Sequence, residues 1–307
     1  MSNVKRLFME TTFYHPRYWN IWILYCLLRL VSLLPYRVQI YLGRVIGLLF
    51  KAFFNKRKRI AEINLRLCFP EWSEQKRNEI LTKHFESLGI SLFEFCISWH
   101  WPDSKINRLA HIEGLENLHN ALKENNGVII LAGHFTTLEI ISRVLKLHTD
   151  VHPVYMKSNN PLLEHIISSG RIKHCGKIIP QNDMRSLLRS LRNNIPVLYI
   201  PDQNLKHKRR IFVPFFGVQT ATIPTTSRLA AIYNTPVLPI IQRRLPDNQG
   251  YQLIIESKLE NFPTDNLEQD TIRINKIIEK QVRDNPEDYL WVHRRFKSRP
   301  PGEKAIY

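Results

Sequence analysis

Cysteine is scarce and scattered. Cys26, Cys68, Cys96 and Cys175 share no C-x-x-C spacing and no metal-site pattern, which argues against a disulfide framework and fits a reducing compartment. Acidic residues are in deficit, with 27 Asp and Glu against 44 Lys and Arg, a net charge of +17 over 307 residues. So basic a chain is attracted to nucleic acid, anionic lipid or acidic proteins. The first of these lacks support: there is no zinc-finger spacing, no aromatic RNP motif and no Gly-rich nucleotide loop, so no nucleic-acid partner is expected. Repeats, low-complexity tracts and obvious linkers are missing too, as is any cluster of metal ligands. Chemistry without metal or cofactor is therefore expected.

A long apolar run is also wanting. The most lipid-like stretch is 18–35, whose strictly apolar part is short and interrupted by Arg29. A full span needs about 20 apolar residues. Tyr18, Trp19 and Trp22 sit at one end of the stretch, as interfacial aromatics do. The reading is a helix lying in or dipping into a bilayer, with a single span as the alternative, and no small-residue cleavage site marks a removable leader. The apolar stretch 38–54 extends that face or forms a core helix. Lys56–Arg59 and Lys206–Arg210 place basic residues beside apolar ones, the pattern of an anionic membrane surface.

The rest of the chain carries a regular pattern. Residues 73–101 have apolar positions at helical spacing, with Pro70 and Ser73 marking the start. Strand-like runs follow at 128–132, 151–155, 196–200, 212–216, 236–241 and 251–256, with helical patterns at 138–147, 183–193 and 267–282. The fold class is α/β, a central mixed sheet flanked by helices behind an N-terminal membrane-associated helical segment. The expected division is 1–60 for that segment and 61–307 for the α/β domain.

The segment Gly133-His-Phe-Thr-Thr-Leu-Glu139 follows an apolar strand and opens an amphipathic helix. It delivers an imidazole and a carboxylate to the carboxyl end of a strand, where α/β folds place their chemistry. His134 is then a candidate general base and Glu139 its orienting partner. Five residues turn roughly 500° on a helix, so the pair works only if His134 precedes the helix. The competing reading is structural, with Thr136-x-x-Glu139 as a capping box.

Several blocks occur in order along nearly the whole chain: Tyr14-His-Pro-Arg-Tyr18, Asn64-Leu-Arg-Leu-Cys-Phe-Pro70, His134-Phe-Thr-Thr-Leu-Glu139, Tyr199-Ile-Pro-Asp-Gln203, Phe212-Val-Pro-Phe-Phe-Gly217 and Trp291-Val-His-Arg-Arg-Phe-Lys297, followed by Arg299-Pro. On these the chain resembles the bacterial lipid A secondary acyltransferases, the lauroyl and myristoyl transferases of lipopolysaccharide assembly. Glu139 favours that branch over the related glycerol-phosphate acyltransferases, which carry Asp there. The resemblance implies an acyl-carrier-protein thioester as donor and co-substrate. It implies the 3-hydroxyl of a hydroxyacyl chain on a Kdo-bearing tetra-acylated precursor as acceptor, and a site at the cytoplasmic face of the inner membrane. Laurate is the default chain. The expected partners are acyl-carrier protein, the anionic lipid A precursor and inner-membrane lipid.

The resemblance also assigns roles. Arg171 is expected at substrate phosphate or the oxyanion, or is a surface charge. Asp202 and Gln203 follow a strand-like run; Asp202 pairs with a site Arg, positions the acceptor, or caps a turn. Arg294 and Arg295 are expected to bind an anionic headgroup or hold the site, since guanidinium forks suit phosphate and carboxylate. Backbone N–H groups at the helix start are candidate oxyanion donors. No covalent acyl-enzyme is required.

Overall fold

A computed structural model describes residues 13–204 and 210–307. Four helices come first: α1 (Trp19–Val31), α2 (Tyr36–Phe53), α3 (Asn55–Cys68) and α4 (Glu74–His100). Then follow α5 (Asp103–Leu109), β1 (Ala110–Glu113), α6 (Leu115–Lys123), β2 (Ile129–Leu131), α7 (Leu138–Lys146), β3 (His152–Tyr155), α8 (Pro161–Cys175), β4 (Ile179–Pro180), α9 (Met184–Arg192) and β5 (Val197–Tyr199). The chain ends with β6 (Ile211–Phe215), β7 (Val218–Thr222), α10 (Thr225–Tyr233), β8 (Val237–Arg244), β9 (Tyr251–Ile255) and α11 (Leu267–Asp284).

Seven strands form one mixed sheet in the order β1-β9-β8-β2-β5-β3-β4. Every pair is parallel except β8–β9, whose short connection allows only an antiparallel return. Strand β2 is in the middle, its three residues wholly buried, as suits a parallel strand covered on both faces. The apolar side chains of its two faces enter two separate core clusters. The 212–216 run does form a strand, but outside the central sheet. Phe216 and Gly217 take positive φ and turn β6 straight back onto β7 as a hairpin. Strands β1, β4 and β7 lie where no apolar run marked them.

The N-terminal helices lie over α4. Gly43 and Gly47 of α2 meet Gly89 of α4 so closely that a Cβ on Gly89 would fall 2.0 Å from the Gly43 carbonyl oxygen. Residues 38–54 are thus both core and surface: Gln39, Ile40, Gly43 and Gly47 are buried, while Val38, Tyr41, Leu49 and Phe53 are exposed. Helix α1 buries none of its side chains. No helix among the described residues is long and apolar enough to cross a membrane. Helix α1 has 13 residues, about 20 Å at about 1.5 Å per residue.

The three aromatics expected at an interface divide: Tyr18 is buried, Trp22 is half-buried and Trp19 is exposed. Tyr18 is buried with Phe13, Trp99, Leu162 and Ile166, and Trp22 Nε1 donates to the Phe13 carbonyl at 2.9 Å. Only Trp19 is largely exposed. Lys56–Arg59 lies in the first turns of α3, and most of Lys206–Arg210 falls outside the described residues.

Candidate active site

Strands β2 and β5 are parallel neighbours, with Leu131 in register with Tyr199. Three residues beyond each lie His134 and Asp202, so the two loops carry them off the same end of the sheet side by side. His134 Nδ1 is 2.5 Å from Asp202 Oδ1, and the His134 amide donates to Asp202 Oδ2 at 3.0 Å. The Asp202 side chain has no solvent exposure and that of His134 has 22%. Burial alone would push the Asp202 carboxyl up. The imidazole, its hydrogen bond and that of the His134 amide overcome this and bring it down to about 2. Asp202 therefore stays ionised, holds the proton on Nδ1 and leaves Nε2 free to accept.

The pairing corrects two expectations. Glu139 is not the group that orients His134. It lies in the first turn of α7, where both its oxygens accept from Arg171: Nε at 3.1 Å to each, and a terminal nitrogen at 2.6 Å to Oε2. Trp99 Nε1 adds a bond to Oε1 at 2.7 Å. Nor does Glu139 close a capping box, since the N-cap Thr137 makes no side-chain cap bond and Thr136 Oγ1 is 2.5 Å from Ser87 Oγ. Asp202 pairs with the His rather than capping a turn or binding an Arg.

His134, Glu139, Arg171 and Gln203 nonetheless share one cleft of about 210 Å³. It opens between the strand ends and helices α4, α7 and α8. Arg171 is the half-buried counter-ion of Glu139 and not a free surface charge; burial works against its charge and Glu139 outweighs it. Arg143 enters the same cleft, buried and paired with Asp103. Cys175 enters it from the end of α8, where burial pushes its thiol up to about 11, so it is protonated at neutral pH and a poor nucleophile. Among the described residues no three His, Cys, Asp or Glu side chains gather as a metal site would require.

The turn bearing His134 is strapped from several sides. Its carbonyl accepts from Leu290 N at 3.0 Å, and Thr136 N donates to Asp288 O at 2.7 Å. Gln242 Nε2 donates to Gly133 O at 2.8 Å. Behind it, Arg244 bonds Glu94 through two nitrogens and Asp288 and Ser87 through a third, all at 2.8–2.9 Å. Because His134, Phe135, Thr136 and Leu138 amides all donate within the protein, these four are not open to an oxyanion, which turns attention to the cleft's guanidinium groups.

Arg294 and Arg295 lie apart from the cleft lining. Arg295 is 2% exposed; its terminal nitrogens donate to Ala221 O at 2.8 Å and Thr222 Oγ1 at 2.9 Å on β7. It is out of reach of a headgroup, because the hairpin β6–β7 covers it, and it serves to lock that hairpin. Arg294 stands 5.8 Å over the Tyr307 ring. His293, between the site and this lock, accepts from the Asn204 amide at 3.0 Å; burial, aided by nearby His134, pushes it down to about 4 and keeps it neutral. Sequence reading missed Trp99, Arg143, Cys175 and His293 as site neighbours. Only His293 lay in a quoted block, and no local signal marks the others.

A family model described as "Bacterial lipid A biosynthesis acyltransferase" matches residues 8–298. The chain is 38% identical over 296 residues to the lipid A biosynthesis palmitoleoyltransferase of Escherichia coli (strain K12), covering 96% of each chain. It is 36% identical over 308 residues to the lipid A biosynthesis lauroyltransferase of the same strain, covering 100% of each. The lipid A biosynthesis myristoyltransferase of that strain is 28% identical over 310 residues, 97% of this chain and 93% of its own.

Proposed function

This chain belongs to the bacterial lipid A biosynthesis acyltransferases, and from that membership we propose a specific reaction. An acyl chain, laurate or one of similar length, passes from an acyl-carrier-protein thioester to the 3-hydroxyl of a hydroxyacyl chain on Kdo2-lipid IVA. The proposed place is the cytoplasmic face of the inner membrane, with the exposed apolar side of α1 and α2 against lipid. The observation that carries the chemistry is the buried, ionised Asp202 gripping His134 at the mouth of a cleft.

His134 Nε2 takes the acceptor hydroxyl proton as the oxygen attacks the thioester carbonyl. Asp202 stabilises the imidazolium that forms, an arrangement that contributes about 10²–10⁴-fold in rate. The carbonyl oxygen of the tetrahedral intermediate becomes negative, and Arg171, fixed in the cleft by Glu139, is the proposed donor toward it. The intermediate collapses by breaking the C–S bond, and His134 returns its proton to the departing sulfur. Gln203, beside both His134 and the cleft, is proposed to orient the acceptor.

Mass spectrometry of the lipid product tests this. Purified protein is incubated with Kdo2-lipid IVA and a mixture of acyl-carrier-protein thioesters, alongside His134→Ala. One added acyl mass, lost in the variant, is the expected result and reads the chain length directly. No added mass from folded wild-type protein would remove this acceptor–donor pair.

A further inference from the structure

The carboxyl end of α4 gathers basic side chains from three elements. His100, its last residue, has Nδ1 2.6 Å from an Arg29 terminal nitrogen of α1 and Nε2 3.0 Å from the Tyr25 hydroxyl. From α8, His174 Nε2 lies 3.0 Å from the Trp99 carbonyl oxygen and Lys173 Nζ 3.4 Å from the same atom. The nearby carboxylate, Asp103, is already taken by Arg143. Burial first, then Arg29, Lys173 and His174, push the His100 imidazole down to about 4, and no acid acts on it in the opposite direction. A helix carboxyl end offers only about half a negative charge. Arg29 and Lys173 bring two full positive ones, so the dipole of α4 does not account for the cluster.

Its position is as telling as its charge. His174 and Arg143 line the cleft that holds His134. On the other side, α1 exposes Ile23, Leu24, Leu27 and Leu30, each by more than half. Charge thus stands between an apolar face and the reacting imidazole, the order in which an amphiphile would present tails, headgroup and hydroxyl.

We propose that Arg29, His100, Lys173 and His174 form a seat for a phosphate on the saccharide headgroup of the acceptor. The seat rests on the acceptor class proposed above. Arg29 supplies a planar fork for phosphate oxygens and Lys173 a mobile point charge, while α1 forms the wall between lipid and cleft.

Equilibrium binding of the acceptor is measured in a His134→Ala background, so that no turnover intervenes, with and without Arg29→Met plus Lys173→Met. The ligands are the acceptor with all its headgroup phosphates and versions lacking each in turn. Removing the seated phosphate is expected to weaken binding about 10- to 100-fold with the seat intact and to have little effect once it is altered. Equal phosphate dependence with and without the two substitutions overturns the proposal. So does a parallel loss of binding to phosphatidylglycerol vesicles, which would make the cluster a general bilayer contact. Phosphate-dependent binding in a protein that forms no lipid A product would leave the seat standing and remove the acceptor assignment. Product formation with equal phosphate dependence would do the reverse.

Discussion

Asp202 holds His134 twice, through the ring at Nδ1 and through the main-chain amide, one carboxylate oxygen to each. A single buried side chain therefore sets both the tautomer of the imidazole and the position of the loop that bears it.

Replacing Asp202 by Asn keeps the size and removes the charge. The amide can present its NH₂ to Nδ1, which moves the ring proton to Nε2 and blocks proton uptake from the acceptor. A loss of about 10³–10⁴ in kcat is expected, with acceptor affinity measured separately in the same variant. Retention of more than a tenth of the rate would show that Asp202 is not the orienting group.

Glu139 and Arg171 act as a unit. Removing Arg171 leaves the buried Glu139 carboxylate without its partner, which costs about 3–5 kcal/mol. Removing Glu139 leaves the half-buried Arg171, which water can still reach, and costs less. Glu139→Ala and Arg171→Ala are each expected to lower the thermal midpoint, and the double variant to fall short of their sum. Strict additivity in chemical denaturation would mean the pair is not coupled.

Cys175 lies in the cleft as a protonated thiol. Cys175→Ala is expected to keep kcat within about threefold, and initial rates over both substrates to show intersecting rather than parallel lines. Parallel lines with an acylated protein trapped on quenching would identify a covalent route instead.

His84 is fully buried, and burial pushes it down to about 4 against the opposing Glu287 carbonyl and Asp288. Its ordinary value is 6.5, so the unfolded chain binds this proton first as pH falls. Stability from this site is complete above pH 6.5 and declines below it, by about 3 kcal/mol at pH 4. Denaturation midpoints measured from pH 7 to pH 4 should fall, less steeply in His84→Gln. An identical slope in the variant would assign the acid sensitivity elsewhere.

Periodicity and punctuation were enough to reveal α4, β2, α7, β5, β8, β9 and α11. Their side chains repeat every two or every 3.6 residues, and the physics that buries them is local. His134 and Asp202 were both legible as residues at strand ends, yet their partnership was not. It depends on β2 and β5 being neighbours in register, a fact of topology that no spacing along the chain encodes. Glu139, five residues from His134, was the nearer carboxylate in sequence and the wrong partner. The block Asn64–Pro70 offered no chemistry on reading; Asn64 Nδ2 proves to bind the Trp291 and His293 carbonyls at 2.7 and 2.8 Å, a strut behind the site. Arg295 was expected to bind a headgroup or hold the site, because the resemblance placed it in a basic block and guanidinium forks suit phosphate; the hairpin that buries it comes from a distant stretch.

The meeting of Gly43, Gly47 and Gly89 leaves backbone against backbone between α2 and α4. Main chain meets main chain at that joint, with few side-chain atoms between the two helices to take up a displacement. Ser87 of α4 lies two residues from Gly89 and touches Thr136, itself two residues from His134. The outer helix thus serves as a mechanical datum for the turn that bears His134, joined to it by one main-chain contact and one hydroxyl pair.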